Sequence, residues 1–151
     1  KDESFCEEDV MLELRILEKI DHPNCIRFHE VIETNKKVYL VMELVTGGDL
    51  WDKITKQGKF DEAEASHIMF QLLKGVEYLH GLGIAHRDIK PQNIMYASMA
   101  ADSVVKLVDF GLAKINDQKT DMMRTCCGSF DFVAPEVLQR LLYSNKCDIW
   151  S

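Results

Sequence analysis

Three side chains able to do chemistry stand close together in the sequence. The stretch His86-Arg87-Asp88-Ile89-Lys90-Pro91-Gln92-Asn93 sets a carboxylate, an ammonium and a carboxamide within eight residues. Asp109-Phe110-Gly111 begins sixteen residues after Asn93, and Ala134-Pro135-Glu136 follows. Asp88 can orient a hydroxyl or take its proton. Asn93 and Asp109 offer hard oxygen donors of the kind Mg²⁺ accepts alongside phosphates and water. Lys90, two residues past Asp88, can put positive charge on an anionic group as it moves. Each triplet alone is an ordinary turn carrying solvated charges; their order and gaps together carry the signal.

The elements that must position these groups read as follows. Phe5 to Ile20 has Val10, Leu14 and Leu17 at helical spacing among charged residues, and His22-Pro23-Asn24 stops it. Cys25–Ile32 and Lys37–Val45 read as strands joined by the hairpin-like turn Glu33-Thr34-Asn35-Lys36. Asp49–Gln57 reads as a short helix ended by Gly58. Asp61, with Glu64 at N3, opens a long helix to His80 whose stripe Ile68, Leu72, Val76 and Leu79 is core packing. His67 and His80 read as surface or helix-end residues. Gly81-Leu82-Gly83 is a helix C-cap and turn, Asn93–Tyr96 a strand, Ala97–Ser103 a turn, and Val104–Val108 the strand delivering Asp109.

At 151 residues and 46% hydrophobic, the chain is one domain with a real core. Its net charge of −7 argues against a nucleic-acid or anionic-membrane partner and permits a basic protein substrate. No apolar run is long enough to span a membrane, and Lys1-Asp2-Glu3-Ser4 shows no signal-peptide pattern. Five cysteines, an odd number without zinc spacing, read as reduced thiols of an intracellular, cytoplasmic protein. The adjacent pair Cys126-Cys127 is a site of redox sensitivity if its loop is mobile.

In this order and at these gaps, the three motifs resemble the catalytic half of a eukaryotic serine/threonine protein kinase domain. The resemblance covers essentially the whole chain. It implies an α+β, partial bilobal fold. Residues 1–45 would be a remnant of the small lobe up to the hinge. Residues 46–151 would be the large-lobe part, with catalytic loop and activation segment, up to the start of its central helix. Met42-Glu43-Leu44-Val45-Thr46-Gly47-Gly48-Asp49-Leu50 and Tyr143-Ser144-Asn145-Lys146-Cys147-Asp148-Ile149-Trp150-Ser151 are similar to the calcium/calmodulin-dependent and calcium-dependent kinase group. No EF-hand loop is present, so calcium itself would be sensed elsewhere.

The resemblance also implies roles, with ATP and Mg²⁺ as cofactors. Asp88 is the base, with Lys90 and Asn93 beside it, and Asn93 and Asp109 hold the metal. Met42 is the gatekeeper behind the adenine, and the Glu43 and Val45 backbones bond its edge. Asp49 contacts the ribose and Met95 floors the pocket. Glu13, on the regulatory helix, pairs with a strand lysine that holds the phosphates. Leu17, Phe28, His86 and Phe110 stack as a spine, and Asp148 holds the backbone of the catalytic loop. Thr125 is the phosphorylatable threonine, answered by Arg87 and Lys114, with Asp9 weakening that pocket. Ser129 contacts Lys90 and Asp88 and, with Lys90, indicates a Ser/Thr acceptor. Gln92, Phe130 and Asp131 depart from common family residues, which bears on substrate preference.

Partners implied are a protein substrate and an upstream kinase or calcium-sensing regulator. The strand lysine and the glycine-rich loop are not in these 151 residues, so the sequence is expected to begin after the first three small-lobe strands. The fragment by itself is then expected to be inactive, or nearly so, with exposed apolar surface. A non-catalytic scaffold on the same fold is the rival; it would be expected to lose Asp88, Asn93 or Asp109, and all three are present.

Overall fold

The computed structural model describes residues 7–115, 123 and 125–151. Among them the chain is α+β, with three short antiparallel strand pairs and one helix of 20 residues. The N-terminal helix α1 (Glu7–Leu17) buries Ile16 and Leu17, with Ile20 just past its end. Val10 and Leu14 are only half-buried, so the buried face is turned from the expected one. The helix also ends before Ile20. The N–H groups of Lys19 and Ile20 reach back three residues, to Ile16 at 3.0 Å and Leu17 at 3.2 Å, tightening the last turn ahead of Pro23. The expected start at Phe5 lies outside the described residues.

Strands β1 (Phe28–Glu33) and β2 (Val38–Met42) form an antiparallel hairpin. Thr34 closes its turn, accepting the N–H of Lys37 on Oγ1 at 3.0 Å. Both strands are shorter than expected, and for the first the cause is a competing partner. The Ile26 N–H donates to Leu107 at 2.8 Å and Leu107 donates to Asn24 at 2.8 Å, so residues 24–26 are committed to another strand. At the far end Thr46 and Gly47 donate to Ala97 and Tyr96. The Ile26 N–H, engaged with Leu107, cannot also serve the hairpin ladder.

Helix α2 (Leu50–Gln57) starts at Asp49, whose Oδ1 accepts the N–H of Asp52 at 2.7 Å, and ends at Gly58. Helix α3 (Glu62–Gly81) starts at Asp61, which accepts from Glu64 N–H at 2.7 Å. The expected reciprocal bond from Glu64 is replaced by an ion pair with Lys53 at 3.1 Å, which ties α2 to α3. Ile68, Val76 and Leu79 of α3 are buried and Leu72 packs beside them. They close on Ile94 of β4 (Ile94–Tyr96) and on Val105 and Leu107 of β5 (Val105–Leu107), which pair antiparallel. Strands β3 (Ile84–Ala85) and β6 (Lys114–Ile115) form a third pair. Helices α4 (Pro135–Leu138) and α5 (Cys147–Trp150) build a second cluster from Ala85, Met123, Ala134, Val137, Tyr143 and Cys147. Leu141, Leu142, Ile149 and Trp150 face solvent.

The thiols of Cys25, Cys126, Cys127 and Cys147 are free, and burial pushes those of Cys25 and Cys147 up to about 12. Among the described residues no helix is long and apolar enough to cross a membrane.

Gly47 packs more closely against its neighbours than Gly75, Gly111 or Gly128 does. A Cβ there would meet the Ser98 carbonyl oxygen at 2.2 Å and Tyr96 Cβ at 2.5 Å. Neither neighbour is a flexible side-chain end, so Gly47→Ala is expected to cost about 3 kcal/mol or more. Urea denaturation of the intact domain measures this, and a loss below about 1 kcal/mol would show that the segment yields easily.

Candidate active site

The loop carrying Asp88 leaves β3 and turns sharply, with Arg87 at φ 68°. A non-glycine residue costs about 1 kcal/mol or more there. Asp148 of α5, 5% exposed, holds the turn. Its Oδ2 accepts the His86 N–H at 2.9 Å and its Oδ1 accepts the Arg87 N–H at 2.8 Å. His80 Nε2 also meets Oδ2, at 2.8 Å. His80 lies in the last turn of α3, the helix-end place expected of it, and its ring turns inward to Asp148.

His86 is fully buried, and burial holds its imidazole below its ordinary pKa although Asp148 and the Val108 carbonyl pull the other way. Neutral His86 fits its bonds. Nε2–H donates to the Val108 carbonyl at 3.1 Å, and Nδ1 accepts the Asp88 N–H at 3.3 Å. Its ring lies 5.0 Å from that of Phe110. Leu17 and Phe110 share one buried cluster, and Phe28 packs against it, so the four expected spine residues occupy one neighbourhood.

The Asp88 carboxylate is bonded on both oxygens. Oδ2 accepts Lys90 Nζ at 2.7 Å and Asn93 Nδ2 at 2.9 Å. Oδ1 accepts the Ser129 N–H at 2.9 Å and the Ser129 hydroxyl at 2.8 Å. Burial pushes the carboxyl up, but the bonds from Lys90 and Ser129 and the charge of Lys90 outweigh it, leaving the acid below its ordinary pKa. Asp88 is thus ionised at neutral pH. Lys90 Nζ reaches Ser129 Oγ at 2.8 Å and closes the triangle.

Two details of this triangle were not anticipated from sequence. Gly128, at φ 103°, lets the Ser129 loop approach: a Cβ there would lie 2.7 Å from the Arg87 carbonyl oxygen. Asn93 also donates Nδ2 to the Asp88 carbonyl at 2.9 Å, and its Oδ1 takes no hydrogen bond among the described residues.

Asp109 sits at φ 64° and accepts the Gly111 N–H at 3.3 Å. Glu13 approaches from α1; its Oε2 would be 4.0 Å from a Cβ on Gly111. Burial, then repulsion from Asp109, raises the Glu13 carboxyl. No lysine or arginine pairs with Glu13 among the described residues.

On the other side, Met42 ends β2 at 42% exposure. Glu43 gives its N–H to the Arg27 carbonyl at 2.9 Å, and its side chain pairs with Lys106 at 2.8 Å. Val45 is half-buried against the main core. Met95 bridges to Asp49, bringing two expected pocket residues together.

Thr125 is exposed, and its carbonyl accepts the Tyr143 hydroxyl. Arg87 donates Nη1 to that hydroxyl at 3.1 Å and Nε to the Leu112 carbonyl at 2.7 Å. Tyr143, which sequence reasoning left without a role, therefore joins Arg87 to the Thr125 backbone. Lys114 stands in β6 opposite Ala85. Asp9 lies outside the described side chains.

This fold and loop arrangement belong to a known class. The family model described as the protein kinase domain matches residues 1–151, and the chain belongs to that family. Human serine/threonine-protein kinase H1 is 46% identical over 140 residues, covering 92% of this chain and 33% of the relative. Myosin light chain kinase A of Dictyostelium discoideum is 46% identical over 145 residues, 96% of this chain and 49% of the relative. Human calcium/calmodulin-dependent protein kinase type 1B is 45% identical over 139 residues, 92% of this chain and 40% of the relative. The chain thus spans a third to a half of the length of these relatives.

The depressed pKa of buried His86 sets a pH dependence of stability. The unfolded imidazole takes a proton near its ordinary pKa of about 6.5 while the folded one resists, so this contribution is complete above that pH and fades below it. The melting temperature is expected to fall from pH 7.5 to pH 5.5, and His86→Phe to flatten the slope. An unchanged slope in His86→Phe would assign the effect to another group.

Proposed function

We propose that the intact domain transfers the γ-phosphoryl group of ATP to a serine or threonine hydroxyl of a protein substrate. The observation that carries this reading is the triangle of Asp88, Lys90 and Ser129. An ionised carboxylate, an ammonium and the loop after Thr125 converge on one point. Phosphoryl transfer asks mainly for positioning and charge neutralisation, which is what these groups can give.

In this reading a substrate hydroxyl enters beside Ser129 and takes one of the Asp88 bonds. Asp88 orients it and takes the proton that it sheds as it attacks. Lys90 neutralises charge on the moving group. ATP with Mg²⁺ supplies the phosphoryl group and the leaving oxygen. The donor chemistry fits the metal: Asn93 keeps Oδ1 available, and Asp109 is an exposed carboxylate. Among the described residues no cluster of three His, Cys, Asp or Glu could hold a cation by itself. An ion there would complete its shell with phosphate oxygens and water.

Residues 1–45 serve as the smaller lobe's part of the domain and 46–151 as the larger lobe's. Met42, the Glu43 and Val45 backbones, Asp49 and Met95 frame the adenosine. Glu13 serves the phosphates through a lysine partner. Phosphate on Thr125 would be answered by Arg87 and Lys114; the Arg87–Tyr143–Thr125 connection supports Arg87 in that role. The name of one relative includes calcium and calmodulin, which supports a calcium-sensing regulator of the intact protein.

A radiolabelled ATP assay on the full-length protein with a Ser/Thr peptide tests this reading, run with and without Ca²⁺–calmodulin. Wild type is expected to label the peptide, and Asp88→Asn to lower kcat about a hundredfold to ten-thousandfold. Thr125→Ala is expected to prevent activation by an upstream kinase. The 151-residue chain is expected to show little turnover, since its sequence holds no glycine-rich loop and no lysine pairs with Glu13 among the described residues. Equal labelling by wild type and Asp88→Asn would refute the reading.

A further inference from the structure

Lys106 is a charge in the middle of the apolar run Val104–Val108, and its side chain is only 11% exposed. Its neighbours Val105 and Leu107 are fully buried. A buried ammonium persists only where acceptors meet its protons. Here Glu43 Oε1 lies at 2.8 Å, the Pro23 carbonyl at 2.9 Å and the Cys25 carbonyl at 3.5 Å. Glu43 Oε1 also accepts the Arg27 N–H at 2.7 Å. One ion pair therefore joins the loop after α1, the start of the hairpin, the segment after β2 and β5. Two backbone bonds run alongside it, from Glu43 to Arg27 at 2.9 Å and from Ile26 to Leu107 at 2.8 Å.

We infer that Lys106 and Glu43 form a clasp that sets the distance between the adenine-contacting segment and the strand that delivers Asp109. This rests on the proposed reading, in which the Glu43 and Val45 backbones hold the base and Asp109 the phosphate end. Lys106 stands three residues before Asp109 and opposite Met95 in the β4–β5 register. A nucleotide must touch both ends at once, so slack between them is ordering that binding has to supply. The clasp removes the slack before the nucleotide arrives. Lys106 and the Glu43 carboxylate are positioning groups that act through the Glu43 backbone and through β5.

Nucleotide titrations and steady-state kinetics on the full-length protein test this. Lys106→Met and Glu43→Gln are each expected to weaken Mg²⁺–ADP binding and raise the KM for ATP about tenfold, the size of one buried charged hydrogen bond, with a smaller change in kcat. The double variant is expected to bind no more weakly than either single one, since both remove one interaction. Mg²⁺–tripolyphosphate, which has no base, is expected to compete equally well in wild type and variants; general damage at Asp109 would weaken it too. If Lys106→Met does not fold, the near-isosteric Glu43→Gln carries the test. Unchanged ADP affinity in Glu43→Gln, additive losses, or an equal loss for tripolyphosphate would overturn the clasp. A wild-type protein that binds neither ADP nor ATP would overturn the kinase reading and the clasp with it, an outcome visible before any variant is made.

Discussion

The Asp148 carboxylate accepts the backbone N–H groups of His86 and Arg87, and the geometry of the site follows from those two bonds. A buried carboxylate is costly unless its oxygens are met, and here the two N–H groups, the His80 ring and, at 3.9 Å, the Cys147 thiol meet them. In return the chain is held through Arg87 at a backbone angle that it would otherwise leave. Asp88, the next residue, inherits its direction from that turn. His86, fixed on the other side, reaches the Val108 carbonyl beside Asp109. One carboxylate on α5 thus relates both acidic groups of the candidate site, although they are twenty-one residues apart in sequence.

Electrostatics then divides the carboxylates by role. Asp88 is buried yet kept ionised, because an ammonium and a hydroxyl are bonded to it. Glu13 is half-buried beside Asp109 with no ion-pair partner among the described residues, and its pKa goes the other way. The two opposite directions follow from partners alone, since burial pushes both acids up. A cation brought to Glu13 and Asp109 would relieve their repulsion, as a lysine or a phosphate-bound metal would.

Local signals in the sequence were read correctly where the physics is local. Asp49 and Asp61 cap helices because a carboxylate beside free N–H groups needs no distant partner. The Ile68–Val76–Leu79 stripe follows from helical period alone. The motifs around Asp88, Asp109 and Ser129 were legible through family resemblance, and the structure brings Asp88 and Ser129 into contact. What was missed depends on partners far along the chain. Cys25 and Ile26 look like strand β1 but pair with Leu107, and Glu64 looks like half of a capping box but reaches Lys53. His80 is the helix-end residue its place suggests, but its bond to Asp148, sixty-eight residues away, left no local signal. Lys106 did leave a signal: a lone charge inside Val104–Val108 must find a partner, and Glu43 is it.

The most direct test of this account is the steady-state kinetics of Asp148→Ala in the full-length protein. Without its two acceptor oxygens the Arg87 turn relaxes and Asp88 shifts, while the Glu43–Val45 segment, proposed to hold adenine, is untouched. A displacement of about 1 Å at a reacting group costs on the order of a hundredfold in rate. The account predicts that kcat falls by about that factor with the KM for ATP nearly constant. A variant that folds and turns over at the wild-type rate would contradict it, because the Arg87 turn that directs Asp88 would then not depend on Asp148.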